Sequence, residues 1–335
     1  MNASPPRWPA VFAVTVGIFA IVTIEILPIG LLTPIAAGFG VSAGTAGWTM
    51  TVPGFVAAVA APVVTVAAGR VDRRLLLGGL LGLLAAAAFL TAAAPAFGVL
   101  LAGRFLVGVV IGGFWSLGAG LAPRLVGTAA AARATSVIFA AVPLGSVLGV
   151  PLGTLAGQLA GWRTAFCLLG VLSLATAVAL VLLTPPLPPS EATRLSVLSG
   201  LLRRRGVRSG LLVTFLVVLA HFGTYTYVTP LLRDVVRPEV LSGYLLAYGV
   251  AGIAGTVLTG RHGKGFALAA AVIALAVFAL PHTGPIGALV TLVAWGTAYG
   301  AVPVPAVMTC GGVAALLAAV VIHGAGRPAP DRAFR

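Results

Sequence analysis

Two charges of opposite sign stand inside segments that are otherwise apolar: Glu25 within Trp8 to Leu32, and Arg104 within Val99 to Leu121. Insertion scales put such a charge in lipid at roughly 2.5–3.5 kcal/mol, so these residues usually face protein or a water-filled cavity. Glu25 falls seven residues, and Arg104 six, from the outer ends of their predicted spans, roughly 10 Å deep at 1.5 Å per residue. A carboxyl and a guanidinium at equal depth can pair or exchange partners, which is chemistry for carrying a proton. Two plainer arrangements stay open: a static structural pair, or an arginine whose five donors bond backbone carbonyls near small residues.

Further polar residues cluster at helical spacing. His221, Tyr225 and Thr229 recur every four residues and predict one polar stripe, fit either for substrate and proton contact or for hydrogen bonds between helices. Trp115, Trp295 and Tyr299 are candidate aromatic walls for a flat or apolar solute, with interface anchoring as the ordinary alternative. Gly145, Gly149 and Gly153 form a smooth helix face on which another helix can approach closely, and Pro151 predicts a bend there. Asp72 sits among Arg70, Arg73 and Arg74 in a short turn.

Enzyme and metal motifs do not fit. Gly40-Val-Ser42-Ala-Gly44 matches a nucleophile elbow, but no strand precedes it, and Ser42 reads as a helix cap. Cys167 and Cys310 lie in apolar segments without metal or redox spacing, and no Walker loop is present. No cofactor is called for; the energy source left is an ion gradient, here of protons.

The elements that must position these residues are membrane helices. Hydrophobic residues make up 60% of the 335 and charged residues 8%, against about a quarter in a soluble domain. Runs long enough to cross a bilayer recur near 9–32, 46–69, 75–94, 98–121, 135–158, 163–184, 210–232, 241–260, 265–281 and 286–303, with a last apolar stretch at 305–323. The first is too long, and too poor in a cleavage signal, for a secretory leader. This predicts an all-α membrane protein with about 10–11 spans.

The net charge of +14 sits between the spans, which argues against nucleic acid as a partner and for the lipid bilayer. With the N-terminus in the cytoplasm, inner segments collect Arg7, Arg70, Arg73, Arg74, Arg124, Arg133, Arg194, Arg203, Arg204, Arg205, Arg208, Arg261 and Lys264, thirteen in all. Outer loops hold Arg163, Arg233 and Arg237, three in all. That bias predicts a multi-pass protein of the inner (plasma) membrane. The basic, proline-rich stretch 185–209 divides an N-terminal six-helix bundle, 1–184, from a shorter C-terminal bundle, 210–335. Gly69-Arg70 and Gly260-Arg261 close the second span of each part, the kind of internal repeat common in secondary transporters.

The motifs, in order, resemble the major facilitator superfamily, and within it the drug/proton antiporter branch of sugar, nucleoside and chloramphenicol efflux permeases. They are Gly69-Arg-Val-Asp72-Arg73-Arg74 in compressed form, Arg104-xxx-Gly108-xxx-Gly112, Gly145-xxx-Gly149-Val-Pro151-Leu-Gly153, and Gly161-Trp162-Arg163. The resemblance covers about 8–305 and implies a two-bundle transporter that exports a small organic solute by alternating access. It implies proton coupling at Glu25 and Arg104. Gating would fall to Gly69, Asp72, Arg73, Arg74, Gly145, Gly149, Pro151 and Gly153, and the substrate cavity to His221, Tyr225, Trp115 and Trp295. Trp295-Gly296 to Pro303 resembles the tenth span and Pro305 to Ile322 the twelfth, so the end of the tenth and all of the eleventh are expected to be absent. A monomer is expected, with a partner helix in the missing place as the alternative. A non-transporting scaffold or sensor and an uptake permease are the competing functions.

Overall fold

The computed structural model describes residues 7–67, 71–118, 121–188, 222–259 and 266–301, with positions 208, 212 and 219. Gly69, His221 and the final apolar stretch 305–323 lie outside the described residues. No strand occurs among the described residues. That follows from the solvent: in hydrocarbon each backbone N–H and C=O must be satisfied within the segment, and a helix does so.

Helix α1, Trp8–Phe39, is the hub. It runs seven residues past its predicted end, because Pro28 and Pro34 stay inside it and Gly40, in the left-handed region at φ 63°, ends it. Glu25 therefore lies near the helix middle. A short α2, Ala43–Ala46, is capped by Ser42, whose hydroxyl accepts from the Thr45 N–H at 3.0 Å. Then come α3 (Trp48–Ala67), α4 (Arg73–Ala92) and α5 (Phe97–Gly118). Helix α6, Ala122–Leu144, is interrupted at Gly127, where φ is 76°.

The predicted bend at Pro151 is a π-helical turn, Gly145–Gly149, leading into α7 (Val150–Ala160). The missing Pro151 N–H and the ring's clash with the preceding turn are relieved by widening the helix before it. Helix α8, Trp162–Leu183, closes this first group.

In the second group the span predicted at 210–232 is broken. Thr226 and Tyr227 form a turn before α9 (Val228–Arg233), and Pro230 supplies the reason, since it offers no N–H to the Thr226 carbonyl. Within the predicted His221-Tyr225-Thr229 stripe, the step from Tyr225 to Thr229 is interrupted by this turn. Helices α10 (Leu241–Thr259), α11 (Phe266–Ala279) and α12 (Pro285–Ala301) complete the described chain.

Two helix crossings repeat one another. In the first, α5 lies on α3. A methyl added at Gly108 would meet the Pro53 carbonyl oxygen at 2.6 Å, and one at Gly112 the Ala57 carbonyl oxygen at 2.6 Å. In the second, α12 lies on α10, with Gly296 against the Tyr248 carbonyl and Gly300 against that of Gly252. Both use glycines four apart on one helix and carbonyls four apart on the other, as close approach requires.

Described contacts between the two groups lie at the end opposite Asp72 and Arg124. There the Thr229 hydroxyl donates to the Ile29 carbonyl, and Gln158 donates to the Pro238 carbonyl at 2.8 Å. Ser242 adds a bond to Gln158 at 3.3 Å. Nearer mid-depth, Gly249 of α10 packs against Val147.

Candidate transport site

Glu25 and Arg104 are brought together, but not as a side-chain pair. Arg104 is fully buried. Its Nε donates to the Thr49 carbonyl at 2.6 Å, Nη1 to the Ile24 carbonyl at 2.7 Å, and Nη2 to the Glu25 backbone carbonyl at 2.7 Å. Of the arrangements open from the sequence, the observed contacts are those to backbone carbonyls. The Glu25 carboxylate is not among the acceptors.

The carboxylate is the accessible group of its neighbourhood. From Ala20 to Leu32 every residue of α1 is buried except Glu25, which is half-buried. At 3.6 residues per turn it points about 120° round the helix from Phe19, away from the outward stripe of Phe12 and Val16. It lies one turn from Ile29, where the groups touch.

The fifth-span glycines face α1 within their own group. Gly145 lies against Val22, Gly149 against Thr23 and Gly153 against Leu27, so that added methyls would collide there. Pro151 is buried. In this segment Val147 makes the contact to the second group, against Gly249. The spacing marked a close-packed face; it carried no signal for which helix occupies it.

Asp72, Arg73 and Arg74 bind the chain that leaves α8. The Asp72 carboxylate caps α4 by accepting from the Arg74 N–H at 2.8 Å, and also accepts from the Leu187 N–H at 3.0 Å. The Arg73 N–H donates to the Leu187 carbonyl at 3.0 Å, and the Arg74 guanidinium to that of Thr184 at 3.3 Å. Arg124 adds a bond to the Pro188 carbonyl at 2.7 Å.

The aromatic candidates separate. Trp115 is half-buried and stacks on Phe139 with centroids 6.3 Å apart. Tyr225 and Trp295 meet in the second group, edge to face at 5.7 Å. Tyr248, which the sequence reading missed, completes that cluster by stacking on Tyr225 at 4.5 Å. All three are buried, so the rings fill one another's faces. The signal for Tyr248 was its place four residues after Tyr244 on an apolar helix. Among the described residues, no group of three His, Cys, Asp or Glu could hold a metal ion.

The family model described as Major Facilitator Superfamily matches residues 8–321. The chain belongs to this superfamily. As a member it is a membrane-embedded transporter of a small-molecule substrate, not an enzyme. It is 34% identical over 308 residues to a protein named purine ribonucleoside efflux pump NepI from Salmonella paratyphi B, covering 89% of this chain and 78% of that protein. The protein of the same name from Salmonella typhimurium matches at 34% over 309 residues, with the same coverage. Among solved structures, the fold is shared with a bacterial homolog of the human lysosomal transporter Spinster, in an inward-facing and unoccupied conformation. There the TM-score is 0.68 at 16% identity, covering 97% of this chain and 82% of that one. It is shared also with the human organic anion transporter MFSD10 (TETRAN), at TM-score 0.58 and 17% identity, covering 95% and 94%.

Proposed function

We propose that this superfamily member is a proton-coupled exporter of small organic solutes, with purine ribonucleosides the first class to test. The observation that carries the reading is Glu25: an acidic residue at the middle of the hub helix, half-buried where its α1 neighbours from Ala20 to Leu32 are all buried. A charge placed so deep in a membrane helix is costly, and is retained where it serves a pathway. The nucleoside class comes from the names of the relatives.

In this reading 1–184 and 210–335 are two bundles joined by the linker 185–209, and the arginine-bearing loops with the N-terminus lie in the cytoplasm. Contacts between the described parts of the groups lie at the opposite end, and the reading takes the conformation as open to the cytoplasm with Glu25 at the head of that opening. Loading of solute from inside, proton uptake at Glu25 from outside and rocking of the bundles then give export. Asp72, Arg73 and Arg74 gate through the linker they hold. The fifth-span glycines let α1 and α7 move as one body, with half-buried Trp115 a described aromatic available to the substrate and Tyr225, Trp295 and His221 the further candidates. The transporter works as a monomer in the inner membrane.

The test is efflux of radiolabelled inosine from preloaded efflux-deficient cells, with this chain or its Glu25→Gln variant at matched membrane levels. Faster loss of inosine with the wild type, abolished by a protonophore and by Glu25→Gln, is the expected result. Undiminished proton-dependent efflux by Glu25→Gln would remove the carboxyl from the mechanism. Solute accumulation in place of loss would make the protein an uptake permease.

A further inference from the structure

We infer that Arg104 is a positioning residue: it supplies the hydrogen-bond donors that Pro28 and Pro53 cannot, and so fixes α1 against α3 beneath Glu25. In an α-helix the carbonyl of residue i accepts from the N–H of residue i+4. The residue four after Ile24 is Pro28, and the residue four after Thr49 is Pro53. Proline has no N–H, so both carbonyls lose their helical partner, and Ile24 and Thr49 are buried away from water.

Two of the three carbonyls that Arg104 reaches from α5 are these, Thr49 through Nε and Ile24 through Nη1; the third, that of Glu25, has Ile29 four residues on and keeps a helical donor. The planar fork suits the task, since its donors point to two helices at once from a fully buried guanidinium.

The second group provides an internal control. Matching Gly296 to Gly108 and Tyr248 to Pro53 by their contacts puts Leu292 at the place of Arg104 and Tyr244 at that of Thr49. Tyr248 has an N–H to offer the Tyr244 carbonyl, and the facing residue is a buried leucine. The arginine stands where proline removes a donor, and a leucine where the donor is kept.

The test is a thermal-unfolding cycle on the purified full-length protein in detergent. Arg104→Gln is expected to lower the melting temperature by at least about 5 °C, the effect of leaving two buried carbonyls unpaired. In a Pro28→Ala, Pro53→Ala background, where both N–H donors return, the same substitution is expected to cost less than half as much. Each single proline replacement gives part of that relief. Arg104→Lys keeps the charge and loses the fork, and is expected to behave like Arg104→Gln. Glu25→Gln is expected to give no relief.

Equal loss in both backgrounds, wild-type behaviour of Arg104→Lys, or relief by Glu25→Gln would each overturn the inference in favour of a charge partnership. Should Arg104→Gln yield no folded protein, recovery of folded yield in the proline-free background becomes the readout, and failure to recover it overturns the inference. Inosine efflux by the same variants adds the positioning readout, with rate recovering alongside the restored donors. That arm rests on the proposed export. If the wild type moves no inosine the export reading fails, while the melting cycle still decides the role of Arg104.

Discussion

The crossing of α3 with α5 and that of α10 with α12 have one geometry and different contents. Each sets two glycines four apart on two carbonyls four apart. The first carries Pro53 and Arg104 one turn along, with Arg104 on the backbone carbonyl of Glu25. The second carries Tyr248 and Leu292, backed by Tyr225 and Trp295. Among the described residues, the ionised groups of the second part stand at helix ends and loops: Arg233, Asp234, Arg237 and Glu239. Backbone packing at glycine is thus the shared scaffold, and charge is an addition made on one side. The added charge has acceptors waiting for it, which is why it can be buried at all.

The largest effect is expected where the two crossings agree. Gly112→Leu and Gly300→Leu should each drive the helices apart, because even a methyl meets a carbonyl oxygen at either place. Both variants are expected to show at least about a tenfold loss of folded protein in fluorescence-detected size exclusion, given overpacking costs of 1–3 kcal/mol for far milder insertions. Normal folding of one and collapse of the other would end the equivalence.

A smaller effect separates them. Leu292→Arg puts a guanidinium into the second crossing, where Tyr248 leaves no carbonyl in need of a donor. It is expected to cost roughly 2.5–3.5 kcal/mol, the price of an unpaired charge in lipid, and to lower the melting temperature accordingly. A melting temperature equal to the wild type's would mean that the second crossing accepts a buried charge as readily as the first.

How much of this could be read in the chain varies by kind of residue. The helical membrane class and most spans follow from apolar runs of about 20 residues, a signal that lipid enforces. The ends follow less well: the first predicted run stops at Leu32, yet α1 continues through Pro28 and Pro34 to Phe39, and Arg104 meets the Ile24 carbonyl that Pro28 leaves without a donor. Arg104 was visible as an anomaly, but its acceptors are main-chain atoms that every residue owns. Only the prolines four residues on mark which of them are free. Glycine spacing in the fifth span announced a close contact, while its partner, α1, depends on topology. Asp72 was legible as a loop charge; its hold on Leu187 spans 115 residues of sequence and had no local trace.

That hold gives the mildest prediction, at the arginine-bearing end. Asp72 makes two kinds of contact, a cap on α4 and a clasp on the chain leaving α8, both through backbone N–H groups. Backbone donors need an acceptor oxygen and no formal charge, so Asp72→Asn should retain most of the stability. Asp72→Ala removes the acceptor and is expected to cost about 1 kcal/mol, the usual worth of a cap, read as a drop of a few degrees in melting temperature. If Asn fell as far as Ala, the carboxylate's charge among Arg73, Arg74 and Arg124 would be the stabilising agent. The arginine end would then depart from the first crossing, where Arg104 acts through hydrogen bonds to backbone carbonyls, although the geometry at Asp72 likewise shows hydrogen bonding alone.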